Sequence, residues 1–145
     1  LAAFFSVIVI CNKEGSDEID AFAGMGRRAP ALAAVLTFAM VSLIGIPPTA
    51  GFMAKLYIFN AAIRSDLVWL VVVGVINSAL SAYYYLRVVK TMYLLPPVSE
   101  EPVPSSPSMR LALGVTSAGI LALGILPGPL LEVAQVSVST LVPSA

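Results

Sequence analysis

The chain has 145 residues, of which 59% are hydrophobic and 11% charged, with eight Lys and Arg balanced by eight Asp and Glu; its mean hydropathy is +0.95. A soluble domain carries about a quarter charged residues, so this composition cannot cover a soluble surface and reads as an integral membrane protein. Zero net charge offers no basic surface to nucleic acid. With no His and a lone Cys11, the chain has no disulfide, thiolate metal site or iron–sulfur cluster of its own.

Residues 1–11 are apolar but lack the basic start and small-residue cleavage site of a signal peptide. As helix they reach about 16 Å, half of the ~30 Å hydrocarbon thickness. They read as the end of a truncated transmembrane helix, and the chain as the C-terminal part of something longer. Residues 12–30, NKEGSDEIDAFAGMGRRAP, are a polar loop.

Residues 31–63 are apolar except for Lys55 and scattered small polar residues. As one helix they would run about 50 Å, too long for a straight span, while splitting them at Pro47–Pro48 leaves two halves that are each too short. Two topologies satisfy this pattern: a single crossing by a broken helix, with the break at 45–51, or a re-entrant hairpin. The positive-inside rule separates them. A single crossing puts Lys13, Arg27, Arg28, Arg87, Lys90 and Arg110 on one side and Arg64 alone on the other; a hairpin gives four cations against three. The single crossing is therefore expected, with the large loops cytoplasmic and the C-terminus extracytoplasmic.

Residues 64–66 then form a short extracytoplasmic turn, and 67–95 a transmembrane helix in which Arg87 and Lys90 read as orientation anchors. The Pro-rich segment 96–108 cannot be helical and is expected to be a cytoplasmic linker. Residues 109–142 are expected to form a C-terminal transmembrane helix with an amphipathic tail carrying Glu132 and Gln135. The fold class is an all-α polytopic membrane protein.

The break has its own chemistry. Pro47 and Pro48 have no N–H, so the carbonyls of Leu43 and Ile44 lose their helical donors, and Gly45 and Gly51 allow the backbone to turn. Irregular backbone is tolerated in a bilayer only where protein buries it or water reaches it. Lys55 lies nine residues before Arg64, about 13 Å along a helix, close to the midplane if Arg64 marks the interface. Inserting a cation there costs on the order of 3 kcal/mol. Burial and the positive end of the second half-helix disfavour the ammonium, while the freed carbonyls favour it. A lysine between these influences can gain and lose a proton, as a proton carrier must; the structural alternative is a lysine facing the carboxylate of a neighbouring helix.

Thr49 stands in the break, and Asn77, Ser78, Ser81, Tyr84 and Tyr85 fall within an arc of about 100–120° on the next helix. Together they are candidates to line a hydrated path. The plainer reading is packing by small residues with tyrosines in the aromatic belt. Thr37 and Ser42 are expected to bond carbonyls of their own helix.

The stretch LIGIPPTAGFMAKLYIF followed by NSALSAYYYLRVVKTMY resembles the subunit N (subunit 2) family of proton-pumping NADH–quinone oxidoreductase, respiratory complex I, over essentially the whole chain. The Gly-Ile-Pro-Pro…Gly-Phe…Lys pattern is shared across an antiporter-like superfamily; the Tyr-Tyr-Tyr-Leu-Arg run points to subunit N. The resemblance implies the C-terminal part of an inverted-repeat helix bundle, with 31–63 as its second broken helix and Lys55 as a proton relay coupled to quinone reduction elsewhere. It also implies a bacterial plasma membrane, other membrane subunits of the complex and the lipid bilayer as partners, and NAD, FMN, iron–sulfur clusters and quinone held by partner subunits, with no cofactor or metal in this chain. A subunit of a multisubunit cation/proton antiporter or a membrane-bound hydrogenase is the alternative. A non-transporting scaffold is a further one, against which a midplane lysine beside a helix break argues.

Overall fold

The computed structural model of the chain describes residues 1–97, 106–128, 133 and 137, and these are all-helical apart from turns. Among the described residues the helices with assigned bounds are, in order, α1 (Ala2–Glu14), α2 (Met25–Arg28), α3 (Pro30–Ile44), α4 (Ala50–Arg64), α5 (Val68–Leu94) and α6 (Pro107–Ile125), with a 3-10 turn at Ile19–Phe22. Most of the Pro-rich linker, and Glu132 and Gln135 of the expected tail, lie outside the described residues.

Helices α5 and α6 are each long and apolar enough to cross a membrane. At fifteen residues apiece, α3 and α4 are about 22 Å long and cannot. Pro30 opens α3 at its first turn, where a missing N–H is harmless, and Gly45 ends it in the left-handed conformation at φ 90°. α4 and α5 are joined by the turn at Ser65–Leu67 and run antiparallel, with Phe59 lying over Gly74. Further along α5, Tyr85, Val88, Val89 and Met92 meet the core that α3 supplies with Leu32, Ala33, Leu36 and Met40. One continuous helix thus flanks both halves of the broken one, α4 near its start and α3 near its end.

The buried core sits at the end of the bundle where α3 begins. Ile10, Met25, Leu36 and Met92 are fully enclosed there, with Phe22, Leu32 and Leu113 nearly so. The polar segment 12–30, expected to be a loop, is folded: α1 continues to Glu14, and the 3-10 turn and α2 press Phe22 and Met25 into this core. Its few apolar residues find the ends of α1, α3 and α5 already side by side, and burial outweighs the polarity around them. Gly24 and Gly26 bring the segment tight against Pro97 and Tyr93, leaving no room for a Cβ. Arg28 closes it with a 2.8 Å ion pair to Glu14, both side chains largely enclosed. α4, by contrast, has no buried residue.

Candidate functional site

The site forms where α3 stops and α4 starts. Leaving α3, the N–H of Gly45 donates to the Val41 and Ser42 carbonyls and that of Ile46 to Val41. Pro47 and Pro48 cannot donate to the next two carbonyls, Leu43 and Ile44. Those two are taken by Lys55: its Nζ donates to Leu43 O at 3.1 Å and to Ile44 O at 2.8 Å. A side chain from the second turn of α4 therefore reaches back across the break and caps α3.

Electrostatics favour this arrangement. The C-terminal end of α3 carries partial negative charge, and a cation hydrogen-bonded to its last carbonyls is stabilised by both the dipole and the charge-assisted bonds. Lys55 is half-buried, and among the described residues its ammonium is held by main-chain oxygen, with no carboxylate on it. The positive N-terminus of α4 lies on the other side of the break, where the N–H of Gly51 donates to Ser42 Oγ at 3.3 Å.

Two glycines of the break are fixed by space. A Cβ on Gly45 would sit 3.0 Å from Lys55 Cδ, and one on Gly51 would fall on the Ser42 carbonyl. Gly45 thus lets the lysine chain pass, and Gly51 lets the two half-helices overlap. Thr49 is 1% exposed, and its hydroxyl donates to Ile46 O at 2.7 Å, so it is engaged within the break. Thr37 donates to the Ala33 carbonyl of its own helix at 2.8 Å; Ser42, expected to do the same, accepts the N–H of Gly51 from α4.

The polar arc on α5 is divided. Ser78, Ser81 and Tyr85 are half-buried on its packed side, whereas Asn77 and Tyr84 are exposed. Ser78 donates to Gly74 O and Ser81 to Asn77 O, each at 2.8 Å, and Tyr85 packs against the core. Tyr84 meets Tyr83 edge to face, ring centroids 5.6 Å apart. The structure brings Lys55, Gly45, Pro47, Pro48, Thr49 and Gly51 together, while the hydroxyls of Ser78 and Ser81 bond carbonyls of their own helix.

Gly124 is a site residue that sequence reasoning missed. A Cβ there would fall on the Pro48 carbonyl and Thr49 backbone, so α6 closes directly over the break. The available signal was weak, a glycine late in a helix whose partner is more than 70 residues away in the chain.

This geometry occurs in a chain with clear relatives. Residues 1–81 match a family profile described as "NADH:quinone oxidoreductase/Mrp antiporter, TM". The chain is 43% identical to the NADH-quinone oxidoreductase subunit N of Dehalococcoides mccartyi, covering 93% of this chain and 28% of that protein. It is 46% identical to subunit N 1 of Solibacter usitatus, with 97% and 30% covered, and 43% identical to the F(420)H(2) dehydrogenase subunit N of Methanosarcina mazei, with 91% and 27% covered. Among solved structures, a chain of respiratory complex I from Thermus thermophilus with bound aureothin superposes with a TM-score of 0.69 at 36% identity, over 76% of this chain and 26% of that one. The chain spans less than a third of the length of these relatives.

Proposed function

The chain belongs to the NADH:quinone oxidoreductase/Mrp antiporter transmembrane family, and on that basis we propose that it is part of a proton-translocating membrane subunit, subunit N, of an NADH–quinone oxidoreductase, with Lys55 as the group that carries the proton. The observation that carries this reading is the lysine ammonium bridging a helix break. Its two hydrogen bonds to α3 tie the side chain on α4 to the other half of the broken helix, so movement of the half-helices against each other makes or breaks the contacts of the ammonium. A broken helix is a joint at which such movement is cheap, because Pro47 and Pro48 leave no ladder bonds to break there.

The redox chemistry belongs elsewhere in this reading. Relatives named for two electron donors, NADH and F(420)H(2), are equally identical to this chain at 43%, which fits a part that does not touch the donor. NAD, FMN, iron–sulfur clusters and quinone are then held by partner subunits, and the chain's own partners are other membrane subunits and lipid. The charge asymmetry of the loops supports a cytoplasmic side at the α2 end. The family description also covers Mrp antiporters; the match of nearly the whole chain to oxidoreductase subunits N favours the first reading.

The test is Lys55→Met in the intact complex. Quinone-linked proton pumping is expected to fall sharply while the complex still assembles. Unchanged pumping would overturn the relay role, and loss of assembly alone would make Lys55 a structural cap.

A further inference from the structure

Among the described residues, three hydrogen bonds cross from one half of the broken helix to the other, and in each the donor belongs to α4 and the acceptor to α3. Two come from Lys55 Nζ, to Leu43 O and Ile44 O. The third runs from the N–H of Gly51 to Ser42 Oγ at 3.3 Å. Gly51 and Lys55 are four residues apart and share a face of α4, about 6 Å from each other along the axis. Ser42, Leu43 and Ile44 are consecutive at the end of α3. α4 is therefore pinned to α3 at two levels, by an ammonium at one and by a neutral N–H at the other.

Thr49 stands at the N-cap of α4, where a threonine hydroxyl ordinarily accepts an N–H of the first turn. Here that hydroxyl donates to Ile46 O, and the backbone oxygen of Thr49 already takes the N–H groups of Phe52 and Met53. The N–H of Gly51, which has no acceptor within its own helix, is capped from the other half by Ser42. Ser42 is 7% exposed, which leaves water little access to its oxygen. This bond involves no ionisable group, so it persists in both protonation states of Lys55, whereas the contacts of Nζ lose their charge assistance when the proton leaves. We infer that Ser42 is a positioning residue for Lys55: its bond to Gly51 holds α4 in the rotation at which Nζ meets the Leu43 and Ile44 carbonyls. The inference rests on the reading of Lys55 as the proton carrier.

The experiment measures proton pumping per NADH oxidised by the intact complex in inverted vesicles, with assembly followed separately. Ser42→Ala removes one atom, and the complex is expected to assemble with a partial loss of pumping, smaller than in Lys55→Met. Ser42→Thr keeps an acceptor oxygen and should restore pumping; Ser42→Cys, close to serine in shape but a weak acceptor, should not. Full pumping in Ser42→Ala would overturn the proposal, as would an assembled Ser42→Thr complex that pumps no better than Ser42→Ala. Recovery in Ser42→Cys would overturn it by making the role one of filling space, and this comparison decides alone if the extra methyl of threonine prevents assembly. Poor assembly of Ser42→Ala with unchanged pumping in the complexes that form would overturn it by making the role one of stability. Full pumping in Lys55→Met would remove the relay reading and this inference together. Lost pumping in Lys55→Met beside full pumping in Ser42→Ala would remove this inference alone.

Discussion

Lys55 donates a 2.8 Å hydrogen bond to the main-chain carbonyl of Ile44, eleven residues earlier and on the other half of the broken helix. That bond joins the only cation of α3 and α4 short of the terminal Arg64 to a backbone oxygen that the prolines leave without a helical N–H donor. Each group answers a deficit in the other.

A lysine and an arginine should part company here. In Lys55→Arg the charge and the carbonyl contacts can persist, so assembly and thermal stability should stay near those of the unmodified complex. Arginine's reference acidity lies two to three pKa units further from neutrality than lysine's, which slows proton release by about 100-fold or more. Pumping per NADH oxidised, followed by dye quenching in inverted vesicles, should therefore drop almost as far as in Lys55→Met. Retained pumping would show that Lys55 need not release its proton.

Replacing Pro47 and Pro48 together by Ala returns two N–H donors to the chain, aimed at the Leu43 and Ile44 carbonyls. Each new backbone bond is worth about 1 kcal/mol and competes directly with Lys55. The expected outcome is a straighter, more stable helix and impaired pumping. Thermal unfolding of the complex together with vesicle pumping checks it; full pumping would mean that the break is dispensable.

The glycines make a graded series. Gly124→Ala places a methyl on the Pro48 carbonyl and should destabilise by about 1–3 kcal/mol, as overpacking does. Gly45→Ala forces a non-glycine residue to φ 90° and crowds Lys55 Cδ, at about 1–2 kcal/mol for the conformation alone. Gly119, whose Cβ would meet nothing within 4 Å, should accept Ala without loss. Melting temperatures of the three variants should fall in that order of severity, and equal values would contradict the close approach of α6 to the break.

Glu14 and Arg28 pin the folded 12–30 segment to α1. Removing either alone leaves a largely enclosed charge, and the expected loss is about 3 kcal/mol, the low end for a broken buried pair. Limited proteolysis between Gly15 and Ala29 should accelerate in Glu14→Gln and in Arg28→Gln. In a double-mutant cycle the two effects should be less than additive; full additivity would show that the pair does not interact.

Much of the site was legible in the sequence because hydrogen-bond valence is a local property of the chain. Two prolines without N–H name the two carbonyls that go begging, and the structure has Lys55 on those same two. The Thr37 bond to its own helix follows from the same reasoning. The arc from Asn77 to Tyr85 shows where that reasoning stopped: the packed face cuts through it, leaving Asn77 exposed and Tyr85 half-buried.

The sequence by itself determined a membrane composition, the position of the helix break and the identity of the freed carbonyls. Only the tertiary structure decided that Lys55 turns back toward α3, that Gly124 of α6 closes over Pro48, and that Phe22 and Met25 carry a polar segment into the core. The physical reason is that lipid is as apolar as a helix interface. In a soluble helix the hydrophobic stripe marks the buried face; in these helices both faces are apolar, and which one meets protein is settled by shape.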